Sequence, residues 1–139
     1  MKTEQKSQGV MFAIVEGEPS FLILKRSPNE GGYWQPLTGS VEENETELDC
    51  LRRELEEEVG IQASTVDITD VLHTFDWSYE DVIYNEFVRG VQISRNADIV
   101  LSEEHSEYMW CDLNEALQSL KHESNKEGFK KVSELHNKQ

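Results

Sequence analysis

The segment from Thr46 to Gly60 constrains the fold of this chain more than any other. Leu48, Leu51, Leu55 and Val59 recur at i, i+3, i+7 and i+11, one narrow apolar stripe that an α-helix presents to a core. Thr46 followed three residues later by Asp49 predicts a capping-box start, and Gly60 stands where a left-handed C-cap belongs. This helix is also the most acidic stretch. Between Glu42 and Glu58, nine acids (Glu42, Glu43, Glu45, Glu47, Asp49, Glu54, Glu56, Glu57, Glu58) meet only two bases, Arg52 and Arg53, a net −7 in 17 positions. A solvated helix normally interleaves lysines at i+4 to relieve such repulsion. Here Glu54, Glu57 and Glu58 stand at i, i+3 and i+4, with Glu54 and Glu58 about 40° apart around the axis. Carboxylates that close raise one another's pKa unless a cation intervenes. Hard divalent ions such as Mg2+ take oxygen ligands and bridge to phosphates. The charge pattern therefore admits two readings, a solvated acidic face and a Mg2+–phosphate site.

The flanking sequence predicts a sheet around the helix. Val10–Val15 (VMFAIV) and Phe21–Leu24 (FLIL) are apolar runs separated by Gly17-Glu18-Pro19-Ser20, a hairpin signal. A glycine-containing loop, Ser27–Tyr33, leads to a short extended piece, Trp34–Thr38. Ser64–Phe75 and Val82–Ile93 have the β-branched and aromatic content of strands and flank a polar-aromatic loop, Asp76–Asp81. Glu107–Asp112 reads as a last strand; Asp112 caps a helix to Leu120, and Ser124–His136 forms another on Phe129, Val132 and Leu135. The first eight residues are polar and expected to fray. This order predicts a single α/β domain over residues 1–139, a mixed sheet with helices on both faces.

Composition narrows the function classes. With 13 Lys+Arg against 28 Asp+Glu the net charge is −15, which argues against nucleic-acid backbones and anionic membranes as partners. No apolar run approaches the roughly 18 residues of a spanning helix, and Met1–Gly9 lacks the apolar stretch of a signal peptide, so a cytoplasmic location is expected. Cys50 and Cys111 are far apart, show no metal-binding spacing, and read as buried free thiols.

The spacing around the acidic helix favours the metal reading. Gly39, five residues, Glu45, seven residues, then Arg53-Glu54-Leu55-Glu56-Glu57-Glu58-Val59-Gly60-Ile61 matches all nine fixed positions of G-x5-E-x7-R-E-U-x-E-E-x-G-U, with U aliphatic. In this the chain resembles the Nudix hydrolases. The resemblance implies the Nudix α/β/α sandwich with a mixed, largely antiparallel sheet, and hydrolysis of a nucleoside diphosphate linked to another moiety, with Mg2+ (or Mn2+) as cofactor. By the family's pattern Glu54, Glu57 and Glu58 bind metal and one of them, or a loop glutamate, takes a proton from the attacking water. Gly39 is where backbone approaches the metal, Arg53 orients carboxylates, and Glu45 ties the loop to the helix start.

Outside the motif, Tyr33-Trp34-Gln35-Pro36-Leu37-Thr38-Gly39-Ser40-Val41-Glu42 is similar to the segment preceding it in the dihydroneopterin triphosphate pyrophosphatase/dATP pyrophosphohydrolase group. Leu101-Ser102-Glu103-Glu104-His105, followed by Tyr108 and Trp110, resembles that group's late loop, where the glutamate before histidine joins the metal site; here that is Glu104, in preference to Glu103. His105 is expected to be structural. Arg26 could meet a phosphate, and Trp34, Gln35, Phe75 and Trp77 could contact the base, with His73 and Tyr79 beside them. The expected substrate is a nucleoside or pterin triphosphate cleaved to monophosphate and pyrophosphate. A dinucleoside polyphosphate (diadenosine tetraphosphate-type) hydrolase is the alternative, and a non-catalytic nucleotide sensor a third reading. The motif binds the diphosphate that all these substrates share, so base, sugar, attacked phosphate, and monomer or homodimer state stay open.

Overall fold

Apolar runs with no polar position on either side belong in the middle of a sheet covered on both faces. In the computed structural model, which describes residues 1–136, the two runs occupy that place. Strand β1 (Lys2–Val15) forms a hairpin with β2 (Glu18–Arg26) around Glu16 and Gly17, whose φ values of 53° and 84° make a turn of the left-handed kind that twisted hairpins prefer. The turn therefore lies earlier than the Gly17–Ser20 reading, and Pro19 pairs with Ile14 inside the strand. On β1, Val10 and Phe12 pack on one face and Met11 on the other; on β2, Phe21 and Ile23 oppose Leu22 and Leu24.

Short strands β3 (Trp34–Gln35) and β4 (Leu37–Ser40) precede helix α1 (Glu47–Val59). Thr46 and Asp49 make the reciprocal capping box, and Gly60 closes the helix in the left-handed region at φ 71°. Then come β5 (Asp67–Tyr79), β6 (Val82–Gln92), β7 (His105–Cys111), α2 (Leu113–Ser119) capped by Asp112, and α3 (Glu127–Leu135). The sheet order is β3-β2-β1-β6-β5, with β4 on β1 and β7 on β2; β1 and β6 are parallel and the other pairs antiparallel. Helix α1 covers one face through Leu51, Leu55 and Val59, and α2 and α3 cover the other through Ala116, Phe129 and Val132. This is the expected α/β/α sandwich.

Three expectations need correction. Residues 2–7, expected to fray, form the first half of β1, because β6 supplies a parallel partner from Lys2↔Val82 to Phe12↔Gln92. The Asp76–Asp81 loop is mostly strand: Asp76–Tyr79 pair with Val82–Asn85, leaving Glu80 and Asp81 as the turn. Leu135 is more than half exposed, so the stripe of α3 rests on Phe129 and Val132. Both cysteines are free and buried, as expected.

One irregularity shapes the cleft. Along one edge, β1 pairs with β2 from Met11 to Val15 but with β4 from Lys6 to Gly9. Strand β2 in turn passes from β1 to β3 at Leu24. The sheet forks there, and Pro36, which has no N–H to donate, joins the two prongs.

Candidate active site

Two adjoining cavities sit at the fork and share Lys6, Arg26, Gln35 and Thr38 in their walls. The larger, about 440 Å3, brings together Gly39, Arg53, Glu54, Glu57, Glu58 and Glu104. The second, about 340 Å3, is lined by Tyr33, Trp77, Glu86, His122 and Asn125 among others.

The acidic cavity is built from both ends of α1 and the elements tied to it. Gly39, on β4, faces the helix so closely that a Cβ there would overlap the carboxyl of Glu54. Arg53 is the hub of the cluster. Its Nε and Nη2 donate to Glu45 at 3.1 and 2.8 Å, and its Nη1 to Glu54 and Glu57 at 3.1 and 3.2 Å; Nη2 also reaches the Ser40 carbonyl at 3.1 Å. Glu45 in turn accepts the Glu42 amide at 2.9 Å, so it ties loop to helix as expected. Arg53 and the Glu42 amide pull the Glu45 carboxyl down to about 2.

At the other end, the carbonyls of Glu58 and Val59 accept amides from Ser102 and Val100 at 3.1 and 2.9 Å. The orphaned last carbonyls of the helix thus draw the Val100–His105 loop across the site. Ser27 fixes the far side of that loop, donating its amide to the Glu104 carbonyl at 2.9 Å and its hydroxyl to that of Glu103 at 2.7 Å. Glu104 lines the cavity; Glu103 does not.

Glu58 is almost fully buried, accepts the Ser102 hydroxyl at 2.7 Å, and lies 3.1 Å from Nδ1 of buried His105, a near contact whose geometry falls short of a hydrogen bond. His105 Nε2 faces the Gln35 amide nitrogen at 2.9 Å; since that group only donates, the ring proton belongs on Nδ1, toward Glu58. Burial and the Arg26 charge push the His105 pKa down against the pull of Glu104, which favours the neutral ring. Ser102 therefore holds Glu58 by a hydrogen bond, and His105, seated on Gln35, lies in near contact behind it. The sequence marked Gln35 only as a base contact, and nothing in it pairs Ser102 with a residue 44 positions away.

The donor set suits a hard cation: the carboxylates of Glu54, Glu57, Glu58 and Glu104, with Glu42 also in the wall and backbone close by at Gly39. As they stand they line a wall without converging, and among the described residues no three His, Cys, Asp or Glu groups are drawn together enough to hold an ion. Arg53 pulls Glu54 and Glu57 to one side while Ser102 holds Glu58 on the other, so ion binding requires the carboxylates to close in. Glu54 carries the electrostatic cost. Burial pushes its carboxyl up to about 7; Arg53 opposes this and Glu58 and Glu57 add to it.

A pH dependence follows. A folded pKa above the unfolded 4.5 means that Glu54 contributes stability at low pH that is lost as pH rises through about 7. His105 acts oppositely, its depressed pKa costing stability only as pH falls below its ordinary 6.5. Between pH 8 and 6.5, therefore, acidification raises the melting temperature of the metal-free protein, and Glu54→Gln flattens that slope. Ion binding must displace the proton, so Mg2+ affinity rises with pH across the same window. Thermal melts at both pH values, with and without Mg2+, check this; equal slopes in wild type and variant would refute the assignment to Glu54.

Other candidates divide. Arg26 lines both cavities while its Nε donates to the Glu30 carbonyl at 2.8 Å. Trp77 lines the second cavity, with Nε1 donating to Glu86 at 2.9 Å. Trp34 and Phe75 do not reach either wall. Trp34 packs on the core layer under α2 and α3 with Lys25 over its ring, and Phe75 packs on the same layer while stacking with His73. The cause is the period of two: Trp34 faces away from Gln35, and the aromatics of β5 spread along a strand instead of gathering in a loop. Tyr79, 65% exposed, lies at the hairpin end. Lys6 and Glu86 escaped notice, the first because its segment was expected to fray, the second because its strand gives no local sign of a cavity.

Comparison with known proteins bears on the family and the fold. A family model of the NUDIX domain matches residues 6–132. The chain is 33% identical over 129 residues to an octanoyltransferase of Myxococcus xanthus, covering 89% of this chain but only 36% of that one. It is 28% identical over 115 residues to the nucleoside triphosphatase NudI of Salmonella typhimurium, covering 76% of this chain and 82% of that one. Among solved structures, a Caenorhabditis elegans Ap4A hydrolase binary complex superposes with TM-score 0.84 at 24% identity, over 95% of this chain and 96% of that one. The Escherichia coli dihydroneopterin triphosphate pyrophosphohydrolase does so with TM-score 0.80 at 24% identity, over 97% and 99%. These two likenesses establish the fold. With the whole motif in place and the family model spanning nearly the full domain, the chain belongs to the Nudix hydrolase family.

Proposed function

We propose that the protein is a Mg2+-dependent pyrophosphohydrolase, with Mn2+ as a substitute, that cleaves a nucleoside or pterin triphosphate to the monophosphate and pyrophosphate in the cytoplasm. The observation that carries this reading is the meeting of Glu54, Glu57, Glu58 and Glu104 with Gly39 in one cavity that adjoins an aromatic-lined one. When bound, the metal supplies neutralising charge on the phosphates and a more acidic water. Glu54, Glu57 and Glu58 would hold it from the helix, with Glu104 approaching from the opposite loop. Arg53 fixes the orientation of Glu54 and Glu57. Arg26 and Lys6, in the wall common to both cavities, would meet phosphate, and Gln35 acts through His105 on Glu58. A glutamate of the cluster takes the proton of the attacking water.

A hydrolysis screen of nucleoside triphosphates, dinucleoside polyphosphates and dihydroneopterin triphosphate, with products separated by chromatography, tests the reading. Release of pyrophosphate with monophosphate supports it; release of orthophosphate, or cleavage of dinucleoside polyphosphates alone, refutes it. Glu104→Gln is expected to lower kcat about 10²-fold, in the range for groups that position metal or protons, while Glu103→Gln stays within about threefold because its side chain is outside the cavity wall. The reverse ranking would move the loop assignment by one residue.

A further inference from the structure

Glu86 is 4% exposed, lies in the wall of the second cavity, and has no role in the chemistry above. A carboxylate so deeply buried normally has a cationic partner. The ion pairs among the described residues leave Glu86 without one. Lys6, its register partner across β1 and β6, extends its ammonium over the Trp77 and Tyr84 rings, 5.6 Å from each centroid. Glu86 is held by neutral donors instead: Gln8 Nε2 at 2.7 Å on one oxygen and Trp77 Nε1 at 2.9 Å on the other. Gln8 is fully buried, and turning its amide nitrogen to Glu86 leaves its Oε1 with no partner. Two buried polar penalties therefore converge on one carboxylate that the backbone pairing of β1 with β6 does not require. They are explained if the carboxylate serves a ligand.

We infer that Glu86 is the base-reading residue of the site and selects a ring that presents a ring N–H beside an exocyclic amino group, the 2-amino-4-oxo edge common to guanine and pterins; the inference rests on the hydrolase reading of the adjoining cavity. An ionised carboxylate accepts and never donates. Each Glu86 oxygen keeps a lone pair beyond those used by Gln8 and Trp77, so the matching edge offers two adjacent donors, a charge-assisted bidentate pair. Adenine and cytosine set a bare ring nitrogen beside the amino group, and uracil flanks its N–H with two carbonyls. Each of these turns a lone pair against the carboxylate. The cavity, about 340 Å3, falls in the range of small-molecule pockets, and Trp77, stacked on Tyr84 at 4.4 Å, supplies an aromatic wall. Lys6 and Arg26 at the shared wall lie where a phosphate chain would run from one cavity to the other.

The test measures kcat/KM of the full chain with Mg2+ for GTP, dihydroneopterin triphosphate, ATP, CTP and UTP, in the wild type and in Glu86→Gln. Binding of GMP, dihydroneopterin and AMP is followed in parallel by tryptophan fluorescence. The wild type is expected to favour GTP or dihydroneopterin triphosphate over ATP, CTP and UTP by at least about 10²-fold, as sites built around a hydrogen-bonded substrate group do. Glu86→Gln, which replaces one acceptor by a donor, shrinks that preference at least about tenfold; a merely structural Glu86 would lower all substrates together. The GTP and pterin arms identify which ring is used. A wild type that prefers ATP, CTP or UTP, or an unchanged preference in the variant, overturns the inference. Preferential GMP or dihydroneopterin binding, lost in Glu86→Gln, without cleavage of any triphosphate upholds it and refutes the hydrolase reading. Cleavage without base preference does the opposite, and absence of both cleavage and preferential binding overturns both. Should Glu86→Gln not fold, the substrate order of the wild type decides.

Discussion

Glu57→Gln is expected to lower kcat by about 10³-fold or more while the metal-free protein melts no lower than the wild type. Its side chain is 56% exposed and its one described partner is Arg53 at 3.2 Å, an exposed i,i+4 pair of the kind that contributes about 0.3–0.5 kcal/mol. Removing its charge also relieves repulsion on Glu54, so the two effects roughly cancel in stability. Nothing cancels in catalysis, because a neutral amide neither holds a hard cation nor takes a proton as a carboxylate does. Glu58→Gln should be as inactive but less stable by about 1 kcal/mol, since its new amide nitrogen enters a nearly closed pocket beside Ser102 and His105. Steady-state kinetics and thermal melts of both variants decide the matter. Turnover within tenfold of wild type for Glu57→Gln would remove the acidic cavity from the reaction.

Gly39→Ala should lower kcat by more than about 10²-fold through a single methyl group. The added carbon would occupy the space of the Glu54 carboxyl, so either Glu54 swings off Arg53 or β4 withdraws from α1. Both displace a carboxylate by about 1 Å, enough for that loss where reacting groups must be aligned, and the overpacking costs about 1–3 kcal/mol of stability. The double variant Gly39→Ala/Glu54→Gln separates the alternatives. If Glu54 is what the methyl group strikes, the two losses of activity are far from additive. Fully additive losses would mean that Gly39 matters only to the strand.

The sequence by itself determined the parts whose physics is local. The α1 stripe, its Thr46–Asp49 box and its Gly60 cap depend on neighbours one helical turn away; the box and the cap stand where the spacing put them, and the stripe holds at Leu51, Leu55 and Val59, with Leu48 only half-buried and outside the core layer. The doubly buried runs of β1 and β2 announced a covered sheet for the same reason, since burial on both faces needs only a continuous apolar run. The motif carried Gly39, Glu54, Glu57 and Glu58 into one cavity because its spacing belongs to a single strand–loop–helix unit.

Only the tertiary structure decided what depends on pairing between distant segments. Residues 2–7 became strand because β6 lies beside them, a partner about 80 positions away that no polar hexapeptide advertises. Trp34 went to packing because sheet register, fixed by the partner strand, sets the face on which it lies; Phe75 and Trp77 share one face of β5 and part only by position along it, Phe75 against the core layer and Trp77 at the cavity. The fork between β1 and β2 made the junction of Lys6, Arg26, Gln35 and Thr38, four residues from four strands with no common motif. Glu86 joined Gln8 and Trp77 across three strands for the same reason. The proposed metal chemistry could be read in one dimension because three of its four carboxylates, Glu54, Glu57 and Glu58, share a helix; the proposed base recognition could not, because its wall is assembled from strands that meet only when the sheet closes.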